Sequence, residues 1–444
     1  MSELSRRRFI ETGSAALAGA GLASSPAVAR AATLRNRVAP SDTLNFGLIG
    51  AKGMGWSDLN AHRRIEGVEC IALCDVDGEV LEERSAELEQ ASGRKPTLYR
   101  DYRELLENDD IDFVIIATPD HWHCLQMVHA CEAGKDVYVE KPLANSIHEC
   151  YVMMNAAERH GRVVQVGQWQ RSAPHWEDAV QFLRSGELGT IRVTKAWAYQ
   201  GWMNPVPPKP DRPAPQHVDY DMWLGPAAER QFNENRFHFN FRWFWDYAGG
   251  LMTDWGVHLI DYVFHGMDVA RPKSVMSMGG KYGYSAGEDA SETPDTQQAI
   301  YEFDGFTMIW EHATGIDGGP YRRDHGVAFI GNNGTLVIDR GGWEVLPETR
   351  DDRYRMEALP RREGSSGLNA HAANFIECIR TRGRPNCPVD VAANTAINAH
   401  MGNVALRVGG RVYWDEAGKN FLDNDDANRF LTPTYRSPWT LPKV

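Results

Sequence analysis

The chain has 444 residues, of which 60 are Asp or Glu and 47 are Lys or Arg, giving a formal net charge of −13. This length allows two or three domains, and the 42% hydrophobic content indicates a globular protein. The negative charge disfavours nucleic acid or an anionic membrane surface as partner, and no apolar run is long enough to span a bilayer. The seven cysteines show no CxxC or Cys/His spacing, so we expect buried thiols and no metal site.

The first 29 residues resemble a twin-arginine (Tat) export signal. Arg6 and Arg7 precede Phe9 and a weakly hydrophobic Ala/Gly stretch, and residues 27–29 provide a small-residue cleavage site. We therefore predict that residues 1–29 are removed and that the protein is periplasmic or otherwise exported through the Tat pathway. A disordered basic tail is the alternative.

A glycine-rich turn follows the first apolar strand and precedes a helix-like segment. Gly50 and Gly55 occupy the first and third places of G-x-G-x-x-G, a motif that binds a dinucleotide pyrophosphate at a helix N-terminus. Lys52 occupies the second place, where glycine normally lets the phosphates approach, and we expect it to add a positive charge there. The predicted cofactor contacts of this turn are Gly50, Lys52, Gly53, Met54 and Gly55.

The second strand, residues 69–74, ends at Asp75, which lies 20 residues after Gly55. A carboxylate in this place accepts hydrogen bonds from the ribose hydroxyls of NAD and repels the 2′-phosphate of NADP. The predicted cofactor is therefore NAD, with NADP less favoured. The alternative is a flavodoxin-like turn that binds no nucleotide.

Residues 44–168 alternate strand and helix in five or more βα units with short links. This pattern predicts an α/β domain with a doubly wound parallel Rossmann sheet, which binds ligands beyond the carboxyl ends of its strands. The residues near those ends are the other predicted cofactor contacts: Thr118, Pro119, His121, His123, Glu140, Lys141 and Gln168.

From residue 169 the pattern changes to strand-like runs joined by turns such as Asn333-Gly334. Residues 169–410 are predicted to form an α+β substrate and oligomerisation domain with a largely antiparallel open sheet. Residues 411–444 are expected to form an arm on the surface or on a neighbouring subunit. Because a monomer would leave one face of the sheet to solvent, we expect a homodimer or homotetramer packed through it.

Two stretches carry residues suited to acid–base chemistry. On a single helix, Asp254 and His258 are i,i+4 neighbours and Asp261 lies one turn further, so the histidine would lie between two carboxylates that tune its basicity. Lys141 ends a strand at the ligand edge, where its ammonium can stabilise a developing alkoxide. A buried structural histidine and a surface lysine are the alternatives; a zinc site lacks a third ligand.

Aromatic and basic residues interleave between residues 197 and 255. Flat aromatic faces beside fork-shaped donors suit a polyhydroxylated ring, whereas an ordinary aromatic core under long loops is the alternative. The tryptophans are Trp197, Trp202, Trp223, Trp243, Trp245 and Trp255. The predicted substrate contacts are Lys141, Arg171, Trp202, Arg236, Arg242, Trp245 and His258.

With these motifs assembled, the chain resembles the Gfo/Idh/MocA family, named after glucose–fructose oxidoreductase and inositol dehydrogenase. The resemblance covers about residues 44–410 and rests on the glycine turn, Ala117-Thr118-Pro119, Glu140-Lys141-Pro142 and the Asp254…His258 segment. It implies that Lys141, Asp254 and His258 form the catalytic group, that the C-terminal sheet is open and antiparallel, and that the substrates are sugars, inositols or glycosides.

The sequence thus predicts an exported NAD-dependent oxidoreductase that acts on a secondary hydroxyl of a sugar, glycoside or cyclitol. Two alternatives stay open. The first is a redox-neutral NAD-dependent glycosidase or epimerase, which oxidises its substrate transiently. The second is a sugar-binding protein without activity, which the Lys141, Asp254 and His258 set disfavours.

Overall fold

The computed structural model describes residues 43–285 and 287–444, so the predicted signal, residues 1–29, lies outside the described part. Residues Leu44–Val444 form one unit. Within the described residues, no helix is both long and apolar enough to cross a membrane.

The N-terminal part is a parallel six-stranded sheet with the order β3-β2-β1-β4-β5-β6, which confirms the predicted Rossmann arrangement. The strands are β1 Leu44–Ile49, β2 Val68–Cys74, β3 Thr97–Tyr99, β4 Phe113–Ile116, β5 Asp136–Val139 and β6 Val164–Val166. The helices are α1 Met54–His62, α2 Gly78–Ser92, α3 Tyr102–Leu106, α4 Asp120–Glu132 and α5 Ile147–His160. Strands β4, β5 and β6 are buried throughout, as the apolar runs of a sheet covered on both faces require.

The C-terminal part is a ten-stranded sheet with the order β16-β13-β12-β11-β7-β10-β9-β8-β17-β18. Its strands are β7 Ile191–Gln200, β8 Ser274–Gly280, β9 Thr296–Glu302, β10 Thr307–Thr314, β11 His325–Gly331, β12 Gly334–Asp339, β13 Gly342–Pro347, β16 Leu359–Glu363, β17 Val412–Asp415 and β18 Asn420–Phe421; β14 Thr349–Arg350 and β15 Arg353–Tyr354 form a separate pair. Only β7 and β10 run parallel; the other neighbours are antiparallel, which confirms the predicted architecture.

Helices cover one face of this large sheet. The helices of this part are α6 Pro174–Arg184, α7 Tyr220–Leu224, α8 Gly250–Asp254, α9 Gly256–Met267, α10 Leu368–Thr381, α11 Val389–Val408 and α12 Asp425–Asn428. Helices α6, α9 and α11 pack on the sheet, whereas Met276, Met278 and Ile300 on the opposite face are exposed.

Helix α10 belongs to the nucleotide-binding half in space, although it follows the large sheet in sequence. The ring of Phe375 packs edge-on against Phe113 and Tyr138, with centroid separations of 5.5 and 5.9 Å. The cores of the two halves therefore share side chains, which fixes the orientation of one half to the other across the cleft.

The C-terminal arm lies on its own chain. Strand β17 pairs with β8 and extends the large sheet. Further on, the ring of Trp439 lies 4.9 Å from that of Trp122, and the Tyr435 hydroxyl donates a hydrogen bond of 2.6 Å to Glu149. The arm thus connects the large sheet to helices α4 and α5 of the nucleotide-binding half.

Candidate active site

A cavity of about 530 Å³ lies where the carboxyl ends of the parallel strands face the short 3-10 helix His238–Trp243. Predicted residues from both halves line it: Gly50, Lys52, Gly53, Met54, Asp75, Thr118, Pro119, Glu140, Lys141 and Arg242. This is the switch point at which doubly wound sheets bind ligands.

The glycine turn has the geometry that a pyrophosphate requires. Gly50 has a φ of 89°, and a Cβ there would lie 2.7 Å from the carbonyl oxygen of Ala117. A Cβ on Gly55 would lie 2.1 Å from the Gly50 oxygen, so this glycine serves packing and does not line the cavity. Gly53 is the N-cap residue of helix α1, which has no capping side chain and no acidic residue in its first turn, so the N–H groups of this turn can bind an anion.

Asp75 lies in the cavity at the end of β2. Its two carboxylate oxygens accept backbone N–H groups from Ala51 at 2.8 Å and Asp77 at 3.0 Å, which fixes the carboxylate beside the turn. Each oxygen retains lone pairs for the ribose hydroxyls of NAD. Turn, helix and carboxylate together therefore fit this cofactor.

Lys141 joins the two halves in the cavity. Its Nζ donates 2.7 Å to Oδ1 of Asp254, which also accepts a 3.3 Å hydrogen bond from Nε of Arg242. Burial opposes ionisation of Asp254, but the two neighbouring cations outweigh it and lower its pKa to about 2. Asp254 is therefore ionised at neutral pH and orients both cations.

His258 is held differently from the prediction. The expected single helix is interrupted at Trp255, which separates α8 from α9, and the Nδ1–H of His258 donates 2.8 Å to Oε1 of Gln170 rather than to a carboxylate. Asp261 instead binds Arg171 at 2.6 and 2.8 Å.

The contact with Gln170 defines the state of His258. Burial lowers the pKa of His258 well below 6.5, and the positive charges of Lys141 and Arg340 lower it further. The imidazole is therefore neutral at neutral pH, with the proton on Nδ1 and the lone pair on Nε2. Such a ring can accept a proton through Nε2.

Asp120, at the start of α4, is a cavity residue that the sequence analysis did not assign. Burial raises its pKa to about 8, and the opposing charge of Arg242 does not cancel this effect. The carboxyl group is thus largely protonated at neutral pH and can donate a hydrogen bond into the cavity. Its position directly after Thr118-Pro119, at a strand end, was the available signal.

Three residues predicted to contact the cofactor lie behind the cavity, because backbone groups occupy their side chains. His121 bonds to the Trp223 carbonyl, at 3.1 Å. His123 bonds to the carbonyls of Pro142 and Thr118, at 2.8 and 2.9 Å, and so braces the strand ends. Gln168 donates to the Val257 carbonyl, at 3.3 Å. The side chains of these three residues are therefore engaged away from the cavity.

Five predicted substrate contacts also lie outside the cavity lining: His258, described above, and the four residues that follow. Arg171 and Arg236 are engaged in ion pairs with Asp261 and Asp211, respectively. The indole N–H of Trp245 donates to the Glu292 carbonyl, at 3.2 Å. Trp202 is 58% exposed, with its ring 6.2 Å from that of Phe239 at the cavity.

The aromatic segment is mainly a local core. Trp223, Trp243 and Phe241 belong to one buried cluster under the long loop, and Trp197 is buried in the outer face of the large sheet. Of the six tryptophans, only Trp223 lines the cavity. Among residues 43–285 and 287–444, no group of His, Cys, Asp and Glu side chains is arranged to hold a metal ion.

Fold and site together define a class: a two-part enzyme with a Rossmann nucleotide-binding half. Both domains of one known family match the chain. The NAD-binding Rossmann domain of the Gfo/Idh/MocA oxidoreductase family matches residues 44–168, and the C-terminal alpha/beta domain of this family matches residues 188–441. The chain belongs to the Gfo/Idh/MocA oxidoreductase family, and NAD is its cofactor.

The curated relatives share part of the chain. A "Glycosyl hydrolase family 109 protein" of Shewanella sp. (strain W3-18-1) is 34% identical over 178 residues, which is 36% of this chain and 38% of that protein. A protein of the same name from Shewanella pealeana is 35% identical over 173 residues, 35% of this chain and 38% of that protein. The match thus spans well under half the length of these relatives.

Solved structures share the fold over most of the chain. An aldose-aldose oxidoreductase from Caulobacter crescentus, complexed with glycerol, has a TM-score of 0.63 at 20% identity and covers 84% of this chain and 100% of its own. A levoglucosan dehydrogenase in complex with NADH and levoglucosan has a TM-score of 0.62 at 19% identity, and the match covers 84% of this chain and 99% of that protein. An oxidoreductase domain protein from Kribbella flavida has a TM-score of 0.65 at 21% identity, and the match covers 84% of this chain and 100% of that protein.

Proposed function

We propose that the protein is an exported enzyme that oxidises a secondary hydroxyl of a sugar, glycoside or cyclitol with tightly held NAD. The observation that carries this proposal is the 2.7 Å contact between Lys141 of the nucleotide-binding half and Asp254 of the second half. This ion pair borders the cavity that begins at the glycine turn. It therefore adjoins the position where the reactive end of a bound dinucleotide belongs.

NAD, when bound, supplies the hydride acceptor. Nε2 of neutral His258 accepts the proton of the substrate hydroxyl, because its Nδ1–H is already engaged by Gln170. The ammonium of Lys141 donates a hydrogen bond to the substrate oxygen and stabilises negative charge on it. Asp254 orients Lys141, and Arg242 shares this carboxylate.

The second candidate function is a redox-neutral reaction, in which a glycoside is oxidised, eliminated or epimerised, and then reduced. The name of the Shewanella relatives, glycosyl hydrolase family 109, favours this reaction. The same residues serve both reactions, because each begins with removal of a hydroxyl proton and hydride. A protonated Asp120, with its pKa of about 8, is a suitable donor to a departing glycosidic oxygen.

Tight retention of the cofactor follows from the proposed export. The Tat route carries folded proteins, and outside the inner membrane no pool of free NAD would replace a cofactor that dissociates. Hydride taken from one substrate would then return to the same molecule or to a second one in the same cavity. We further propose a homodimer or homotetramer formed through the exposed face of the large sheet, where Met278 is 74% exposed.

The test is to purify the exported protein without added nucleotide, denature it, and measure nucleotide in the supernatant. We expect about one NAD per chain, since binding at nanomolar Kd corresponds to roughly −12 kcal/mol. A screen of glycosides, with products identified by mass spectrometry, then separates the candidates. Cleaved glycoside without net change of cofactor supports the redox-neutral reaction, and ketone with stoichiometric NADH supports the dehydrogenase. A protein that is empty and binds NAD only at millimolar levels contradicts the proposal.

A further inference from the structure

A second cluster of cationic and aromatic side chains lies beside His258, outside the cavity described above. Its members are Trp169, Trp255, His325 and Arg340. The Arg340 guanidinium carbon lies 4.8 Å from the ring centroid of Trp169 and 4.4 Å from that of Trp255. Both indole rings lie 6.2 Å from the imidazole of His258. The cluster is thus built around the proposed proton acceptor.

Arg340 lies at the tip of a tight hairpin. It occupies the two-residue turn between β12 and β13, which are joined by the pair Asp339 and Gly342. Asp339 fixes this turn by accepting the N–H of Gly341 at 2.6 Å. The position of Arg340 is therefore set by the sheet and not by a flexible loop.

Within residues 43–285 and 287–444, Arg340 forms no ion pair with a carboxylate. The adjacent Asp339 is occupied by Arg323 at 2.9 Å and Arg361 at 2.8 Å. Asp254, whose negative charge reaches Arg340, is occupied by Lys141 and Arg242. Asp339 and Asp254 are thus already paired with other cations, and Asp324, whose charge also reaches Arg340, accepts a hydrogen bond from His325.

Several polar atoms of the cluster and its surroundings are buried without a hydrogen-bond partner in the described part of the chain. They are Nε of Arg340, Nε2 of His325 and Nε2 of Gln170. His325 uses its other ring nitrogen to bind Asp324 at 2.8 Å. Because Nδ1–H of His325 donates to this carboxylate, Nε2 of His325 is an acceptor, and the buried donors without a partner are Nε of Arg340 and Nε2 of Gln170. Such donors cost free energy, which an incoming acceptor would recover.

The local charge is positive, although the whole chain has a net charge of −13. Lys141 and Arg340 are the cations that act on His258, and Arg242 adds a third at Asp254. The carboxylates of Asp254 and Asp324 offset two of these three charges. Apolar indole walls strengthen the field of the remaining charge. Such a site attracts an anion.

We propose that Arg340, with Trp169 and Trp255, binds an oxyanion substituent of the sugar, a carboxylate or a sulfate, next to the carbon that is oxidised. The substrates are then acidic saccharides such as uronic acids or their glycosides. The planar guanidinium of Arg340 can donate two parallel hydrogen bonds to two oxygens of one such group, whereas the ammonium of a lysine cannot. The inference rests on the proposed function, because it concerns the substrate of the same site.

The experiment compares matched ligands on the purified protein with its nucleotide. Methyl glucoside, methyl glucuronoside and methyl glucoside 6-sulfate are titrated while tryptophan fluorescence is recorded, since two tryptophans line the cluster. We expect one of the anionic ligands to bind about 10- to 100-fold more tightly than the neutral glucoside, as for a hydrogen bond to a charged group. The anionic ligand that binds more tightly identifies the substituent as a carboxylate or a sulfate.

Variants separate recognition from folding. Arg340→Gln should abolish the preference for the anionic ligand and leave the nucleotide content unchanged, and Arg340→Lys should restore only part of it. Arg361→Gln is the matched control, because this arginine pairs with Asp339 of the same hairpin; this variant should keep the preference for the anionic ligand.

The proposal is overturned if both anionic ligands bind no better than the neutral glucoside to the unmodified protein. It is also overturned if Arg340→Gln weakens all three ligands equally, since that would mean the arginine only supports the two indoles. These outcomes are distinct from failure of the proposed function. A protein that prefers the uronoside but lacks NAD would keep this subsite and lose the oxidoreductase assignment.

Discussion

Substituting Asp254 by Asn tests the ion pair at the centre of the site. The carboxylate contacts Lys141 at 2.7 Å and Arg242 at 3.3 Å. Although its burial acts in the opposite direction, these cations lower its pKa from 3.8 to about 2. One pKa unit corresponds to about 1.4 kcal/mol, so the ionised carboxylate contributes roughly 2 kcal/mol to the free energy of unfolding at pH 7.

The sign of the pH dependence follows from the lowered pKa. A carboxylate whose folded-state pKa is depressed stabilises the protein above its unfolded-state pKa of 3.8, and this contribution is lost as the pH falls towards 2. Asp254→Asn should therefore lower the free energy of unfolding by about 2 kcal/mol at pH 7. The difference from the unmodified protein should persist to about pH 4 and shrink below it.

The assay is urea denaturation, monitored by tryptophan fluorescence, across this pH range. The matched control is Asp304→Asn, which removes an exposed carboxylate paired with Lys273; it should change stability little, because exposed ion pairs contribute little. Equal urea midpoints for Asp254→Asn and the unmodified protein at pH 7 would refute the argument. So would a difference that does not shrink on acidification.

Three further predictions concern other parts of the chain. Asp75→Ala should weaken NAD binding and raise the relative affinity for NADP, measured by competitive titration; unchanged discrimination would remove Asp75 from ribose recognition. Burial raises the pKa of Asp58, whose oxygens have no partner in the described chain, so its cost to stability grows as the pH rises above 3.8. Asp58→Asn should therefore stabilise the protein at pH 8 but not at pH 4 in urea denaturation, and a gain independent of pH would contradict this. Replacing exposed Met278 and Ile300 by Asp should produce monomers in light scattering, and an unmodified protein that is already monomeric would exclude the proposed sheet interface.

The sequence predicted the nucleotide-binding half well, because its signals are local. Strand, glycine turn and Asp75 follow one another within 31 residues, from Asn45 to Asp75, and each has its own periodicity or residue type. Lys141 was found for the same reason, since it ends an apolar strand. Its partnership with Asp254, 113 residues away, required the family resemblance.

Contacts between distant segments account for the errors. Gln170, which fixes the tautomer of His258, is 88 residues away in sequence, and no pattern links the two. Asp261 has the right helical spacing but is bound by Arg171, because local spacing does not reveal competing partners. The aromatic density between residues 197 and 255 reflected a core under a long loop, which composition does not distinguish from a sugar site.

The most direct test of the central claim is turnover of the Lys141→Met variant. Nucleotide content and reaction rate are measured together on purified protein with an accepted glycoside, and Lys273→Met, at an exposed ion pair, is the control. We predict that Lys141→Met retains its NAD and loses about 10²- to 10³-fold in kcat, as for removal of an electrostatic stabiliser. Turnover close to that of the unmodified protein would contradict the assignment of Lys141 and with it the proposed active site.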